Sequence, residues 1–261
     1  MKKLISLFLF LSFCFFFTII IAVSCKDADK ETCAAVNENY SAYERYYSKK
    51  NFALALTSIN NVLSNYHEYS DAENCILRRI SKTHVHNLKA EILLMQKKYI
   101  DGIKSYSNAL KEYKSHNDYI YSMKKYEYYK DSDFIESYIG RSYCKYYLGD
   151  IRGAIIDCNI ADDTIVKYQK HIDNKTAVFL YSNIKRIRGN SFFKMKKYDS
   201  ALIEYEWIVA NNPDVFADIY INKGIIEYTS LVMIDKACLD FSKAGELGDK
   251  EAYDYIKKYC N

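Results

Sequence analysis

Arg141-Ser142-Tyr143-Cys144-Lys145-Tyr146-Tyr147-Leu148-Gly149-Asp150-Ile151-Arg152-Gly153-Ala154-Ile155-Ile156-Asp157-Cys158-Asn159-Ile160-Ala161 is the stretch that decides the fold. After the turn signal Leu148-Gly149-Asp150, the residues Ile151, Ala154, Ile155, Cys158 and Ala161 recur at offsets of three and four, the spacing of one helix face. The phrase recurs as Phe52-x-x-Ala55-Leu56, Tyr99-x-x-Gly102-Ile103, Tyr198-x-x-Ala201-Leu202 and Ile234-x-x-Ala237-Cys238. Each copy continues on the same face, through Ile59, Tyr106, Cys158, Tyr205 or Phe241. The small residue has a physical role: another helix can approach closely only where no large side chain intervenes. Upstream, Ala90, Ser142, Gly189 and Gly224 offer the reciprocal small surface on a second helical stretch. Each unit is therefore a helical hairpin whose apolar flank only a neighbouring hairpin covers, and such units stack.

Composition agrees. The 261 residues hold 16% aromatics, 27% charged residues, one Pro and eight Gly, too apolar for disorder and too poor in turn formers for an all-β fold. Net charge is +4, and removing the first 24 residues leaves 35 basic against 33 acidic side chains, so no nucleic-acid partner is implied.

Met1-Lys2-Lys3 precedes an uncharged apolar run from Leu4 to Val23, the layout of an export signal. The run is also long enough to span a bilayer as an uncleaved helix, and Ala22-x-Ser24 suits ordinary signal cleavage. Its end, Ala22-Val23-Ser24-Cys25, resembles the lipobox of bacterial lipoproteins, where Cys25 is lipidated and becomes the first residue; Ala22 stands where that family usually has Leu. On this reading residues 1–24 are a signal peptide, 25–36 the lipidated Cys and a flexible tether, and 37–261 the repeat domain. The expected location is the cell envelope, lipid-anchored in the outer membrane.

From about Asn37 to Cys260 the chain resembles the tetratricopeptide repeat (TPR) family. The strongest copies are residues 141–161 and Gly189-x-x-Phe192 through Lys197-Tyr198-x-x-Ala201-x-x-x-Tyr205 to Pro213. Ala237-Cys238-x-Asp240-Phe241-x-Lys243-Ala244 through Ala252 looks like a last repeat and capping helix. The resemblance implies an all-α, right-handed superhelix of about five hairpins plus a C-terminal cap. Tyr43 departs from the family, which prefers a small residue there. The small residues at 55, 102, 154, 201 and 237 give intervals of 47, 52, 47 and 36 residues, where about 34 is typical. Ser70-x-x-Glu73 and Asp133-x-x-Glu136 have capping-box spacing and would open the next first helices. The longest connection interleaves Tyr119, Tyr121, Tyr126, Tyr128 and Tyr129 with Lys124, Lys125 and Lys130, either packing or an adaptable contact surface.

Signals of chemistry are absent from the sequence. Cys33, Cys75, Cys144, Cys158, Cys238 and Cys260 contain no C-x₂-C pair, so no zinc or redox motif is expected. Export allows some of them to pair, while Cys144, Cys158 and Cys238 fall at buried helix positions suited to packing. His84 and His86 point to different faces of a helix. Asp162-Asp163 and Asp131-x-Asp133 sit at hairpin ends, where Asp caps helices. No phosphate-binding loop, dinucleotide fingerprint or nucleophile elbow occurs. No enzyme, catalytic residue, metal or cofactor is expected.

The resemblance implies a concave groove lined by the first helix of each hairpin, gripping a peptide or partner protein. Carried over, the groove residues are Tyr40, Glu44 and Tyr47, then Asn87 and Glu91, then Tyr143, Tyr146 and Tyr147. Arg186, Asn190, Phe193 and Lys194 follow, and then Asn222 and Tyr228. Arg186, Asn190 and Asn222 stand where some members clamp a ligand's terminal carboxylate, and Lys257 would add a second charge. The expected function is a membrane-anchored adaptor or scaffold binding another envelope protein. The alternative is a lipoprotein capturing oligosaccharide or peptide for an outer-membrane transporter, although the single Trp207 is a poor sugar platform.

Overall fold

The computed structural model describes residues 31–66, 80–123, 131–214 and 216–260; within these, no side chain of 114–123, 131 or 171 is described. Residues 1–30, which hold the export signal, Cys25 and the start of the tether, lie outside the described residues, as do Cys75, Ser70, Glu73 and the Tyr and Lys residues of 124–130.

Among the described residues every regular element is helical and no strand occurs. Two compact units divide the chain, residues 1–96 and 97–261. In the first unit α1 covers 31–48, followed by α2 (Phe52–Ser64) and α3 (Lys82–Met95). Helix already occupies 31–36, where a tether was expected, and Cys33 and Val36 are buried. Val36, Tyr43, Ala55, Ile59, Val62, Val85 and Ile92 make one core. Tyr43, large where a small residue was expected, is itself buried in that core.

The second unit runs α4 (Tyr99–Met123), α5 (Asp131–Tyr147), α6 (Ile151–Tyr168), α7 (Asn174–Lys194), α8 (Tyr198–Asn211), α9 (Ala217–Thr229), α10 (Ile234–Glu246) and α11 (Ala252–Tyr259). Consecutive helices pack as antiparallel hairpins α5/α6, α7/α8 and α9/α10, with α11 laid against α10. The long intervals are absorbed by helix: α4 has 25 residues and carries Tyr119 and Tyr121 within it, and α7 has 21. Helix α5 opens at Asp131, two residues before the expected cap; Asp133 is buried inside the first turn, where its carbonyl accepts the Ser137 hydroxyl.

All five repeated small residues, Ala55, Gly102, Ala154, Ala201 and Ala237, are buried. Close approach explains the partner glycines. A Cβ on Gly189 would meet the Tyr205 ring at 2.7 Å, and one on Gly224 would meet the Phe241 ring at 2.6 Å. Positive φ recurs at the turns between helices, at Lys50, Lys97, Gly149, Lys196, Val232 and Gly248. At Gly149 the Schellman bonds are explicit, Gly149 N–H donating to Tyr146 O at 3.1 Å and Asp150 N–H to Lys145 O at 2.9 Å. The same pair of bonds recurs at Lys50, Lys196 and Gly248.

Candidate functional site

Three buried ion pairs hold the first helices of the second unit in place. In each hairpin the acid three residues after the small residue of the second helix meets the cation just before the small residue of the first. Asp157 accepts from Arg141 Nε and Nη2 at 2.8 Å, and Lys145 lies 2.8 Å away. Glu204 accepts from Arg188 Nε at 2.7 Å, with Lys185 at 3.2 Å. Asp240 accepts from Lys223 Nζ at 2.7 Å, and Lys223 also reaches Glu227 at 2.7 Å. Burial depresses the Arg141 and Arg188 guanidiniums, but bonding to their carboxylates outweighs it, so both rise above the ordinary arginine value.

Anchored this way, α5, α7 and α9 present a continuous band of rings, cations and amides. Tyr147 stacks on Tyr99 with centroids 5.1 Å apart and leans on Tyr143 at 5.2 Å. Lys194 Nζ sits 3.9 Å from the Tyr146 centroid. Arg186 lies between the Phe216 ring at 4.5 Å and the Tyr143 ring at 5.6 Å. Burial pushes the Tyr146 phenol up to about 12 and raises Tyr143 further, so both stay neutral donors at physiological pH.

The expected carboxylate clamp holds a carboxylate from the chain itself. Arg186 Nε donates to both oxygens of Asp218, at 2.9 and 3.0 Å, and Asn190 Nδ2 donates to Asp218 at 2.9 Å. Tyr205 Oη donates to Asn190 Oδ1 at 2.8 Å, and Asn222 Nδ2 donates to the same oxygen at 3.0 Å. Asn190 and Asn222 are thereby committed to packing α7 against α9, whereas the bonds that Arg186 makes among the described residues run through Nε. Asp218 and Phe216 were missed in the sequence. The available signal was the i,i+4 spacing of Asp218 and Asn222 at the start of α9.

Other expected groove residues divide. In the first unit Tyr40, Tyr43, Tyr47 and Phe52 form a chain of rings 5.7 to 5.8 Å apart. Tyr47 Oη donates to Glu91 Oε1 at 2.8 Å, and burial followed by that bond raises the Tyr47 phenol. Glu44 is exposed and Asn87 buried. In the second unit Phe193 and Tyr228 are both half-buried, Phe193 against Tyr198 and Tyr228 against Tyr259 of α11, with the last two rings 4.3 Å apart. Lys257 is exposed on α11.

Thiol placement partly differs from expectation. Cys144 and Cys158 are free and buried, and burial pushes both thiols up to about 12, leaving them unreactive at neutral pH. Cys238 does not serve packing alone: it forms a disulfide with Cys260 that ties the end of α11 to α10. Cys33 is disulfide-bonded as well. Ser81 Oγ accepts the His84 backbone N–H, so His84 lies in the capped first turn of α3. Among the described residues no group of three or more His, Cys, Asp or Glu is placed to hold a metal ion. Among those residues, too, no helix is long and apolar enough to cross a membrane.

No family model matches the chain, and no curated protein matches it. Several solved structures are similar over most of its length. The MamA protein aligns at 17% identity and TM-score 0.48, covering 84% of this chain and 94% of its own. YrrB, described as a TPR protein with an unusual peptide-binding site, aligns at 13% identity and TM-score 0.48, covering 83% and 88%. The TPR2AB domain of yeast Sti1, in its complex with pHSP90, aligns at 14% identity and TM-score 0.38, covering 82% and 78%.

Proposed function

We propose that this chain is a non-catalytic interaction module of the cell envelope, anchored at Cys25, that binds an extended segment of a partner protein along α5, α7 and α9. The observation that carries the reading is the Arg186 site. A cation held between two rings, with its carboxylate partner engaged through Nε, has its remaining N–H edge available for a backbone carbonyl or acidic group. Tyr147 and Lys194, both exposed, extend that contact toward the hairpin tips. Tyrosines provide contact area with little rotamer loss, which suits segment binding better than catalysis.

The test compares partners captured from envelope extract by the parent chain and by a Tyr147→Ala/Lys194→Ala variant, which alters exposed side chains only. Loss of one partner protein from the variant supports the module. Unchanged capture, together with calorimetric heat on adding oligosaccharides, replaces it with ligand capture. Mass spectrometry of the mature amino terminus tests the anchor separately: an unmodified Cys25 removes it and leaves the binding face standing.

A further inference from the structure

We infer that the edge of the second unit formed by its hairpin tips docks on an anionic lipid bilayer surface, a contact separate from the partner-binding face and independent of lipidation at Cys25. In the up-down order of α5 to α10 every turn from a first helix to a second falls at the same end of the stack. Large apolar side chains are exposed at that end: Ile100 (72%), Leu148, Met195 and the uninterrupted run Leu231-Val232-Met233-Ile234. Turns at the other end read differently, Asn211-Asn212-Pro213-Asp214 between α8 and α9 and Gly248-Asp249-Lys250-Glu251 between α10 and α11. Exposed apolar side chains also occur singly elsewhere, Ile156, Ile203 and Leu239 along the second helices and Val166, Phe179 and Tyr253 toward the other end, but the uninterrupted run of four belongs to a tip.

Val232 makes the case sharpest. It occupies the left-handed position, φ 56°, that Lys or Gly fills at the other tips, and its side chain is 75% exposed. A β-branched residue is the poorest choice for that backbone, and no core contact calls for one. A turn that places an apolar branched side chain outward at a conformational cost fits a function at the tip.

Charge selects the occupant. Lys97, Lys98, Arg152, Lys196, Lys197 and Lys236 are exposed around the same tips. The acids there sit at helix starts: Asp101, Asp199 and Asp235 lie in the first turns of α4, α8 and α10, and Asp150 accepts the Gly153 N–H. These four acids are exposed as well, so six cations stand against four carboxylates and the edge carries a net positive charge. Aliphatic tips ringed by lysines match a bilayer whose headgroups are anionic and whose interior takes side chains of this size.

The test uses the full chain reconstituted with vesicles containing brominated acyl chains, carrying a fluorescent reporter as Val232→Trp or, at the opposite end, Phe179→Trp, each read against the parent that holds Trp207 alone. The expected result is a blue shift and loss of emission at 232 in phosphatidylglycerol vesicles, none at 179, and restored emission at 232 when Lys196→Glu/Lys197→Glu is added. An unquenched reporter at 232, or equal quenching at both sites, overturns the proposal. Equal quenching at 232 in purely zwitterionic vesicles rejects the anionic surface, and a concentration-dependent blue shift without vesicles assigns the edge to a second copy of the chain.

Discussion

Hairpins α5/α6 and α9/α10 place an ion pair at the same repeat position and balance it oppositely. In the first, two cations, Arg141 and Lys145, face one carboxylate, Asp157, which is 1% exposed. In the second, one cation, Lys223, faces two carboxylates, Glu227 and Asp240, and the buried Glu227 Oε2 has no hydrogen-bond partner among the described residues. Repeat geometry thus decides where charge is buried, but not its sum. The sum sets the response to pH. Burial, reinforced by Glu227 and opposed by Lys223, pushes Asp240 up to about 6. Because the folded state then holds this proton more tightly than the unfolded chain, the resulting stabilisation is full below about pH 4 and is lost as pH rises through about 6.

The largest test of that contrast is Arg141→Met, which removes the bidentate partner of a buried carboxylate and is expected to cost about 3 kcal/mol in urea denaturation. A loss under about 1 kcal/mol would mean that Lys145 alone satisfies Asp157. Gly224→Ala is next: its Cβ would press on the Phe241 ring and, at 3.1 Å, on the Ala237 carbonyl. Overpacking of that kind costs about 2 kcal/mol, read as a lowered melting temperature, with Gly189→Ala giving a comparable drop. Asp240→Asn removes the surplus charge and should raise stability at pH 7.5 by about 1 kcal/mol while flattening its change between pH 5 and 7.5. Asp157→Asn should instead destabilise, because it leaves Arg141 and Lys145 facing a neutral amide; a gain in stability in both variants would break the comparison. The smallest effect belongs to the tips, where Val232→Gly relieves the left-handed backbone and stabilises by about 0.5–1 kcal/mol in thermal melts.

Much of this was readable in advance. The positions 55, 102, 154, 201 and 237, and the glycines 189 and 224 opposite them, were all legible from spacing, because helix faces follow from a local period. Tyr143, Tyr146, Tyr147, Arg186 and Lys194 were legible as first-helix positions, and the structure gathers them on one band. Asp218 was not, because whether a carboxylate 32 residues from Arg186 reaches its Nε depends on how α7 and α9 cross. The Cys238–Cys260 disulfide escaped for the same reason: Cys238 reads as a small packing residue until α11 folds back and brings Cys260 to it.

Periodicity and small-residue placement are one-dimensional properties, so the residues alone dictated an all-helical chain of stacked hairpins and the faces those hairpins bury. Pairings across helices are three-dimensional: which cation meets which acid, that Asp218 fills the clamp, that α11 brings Tyr259 onto Tyr228, and that a valine stands in the left-handed turn at 232. Each of these depends on ångström-scale approach between segments whose separation along the chain carries no information about their distance in space, and so only packing could settle them.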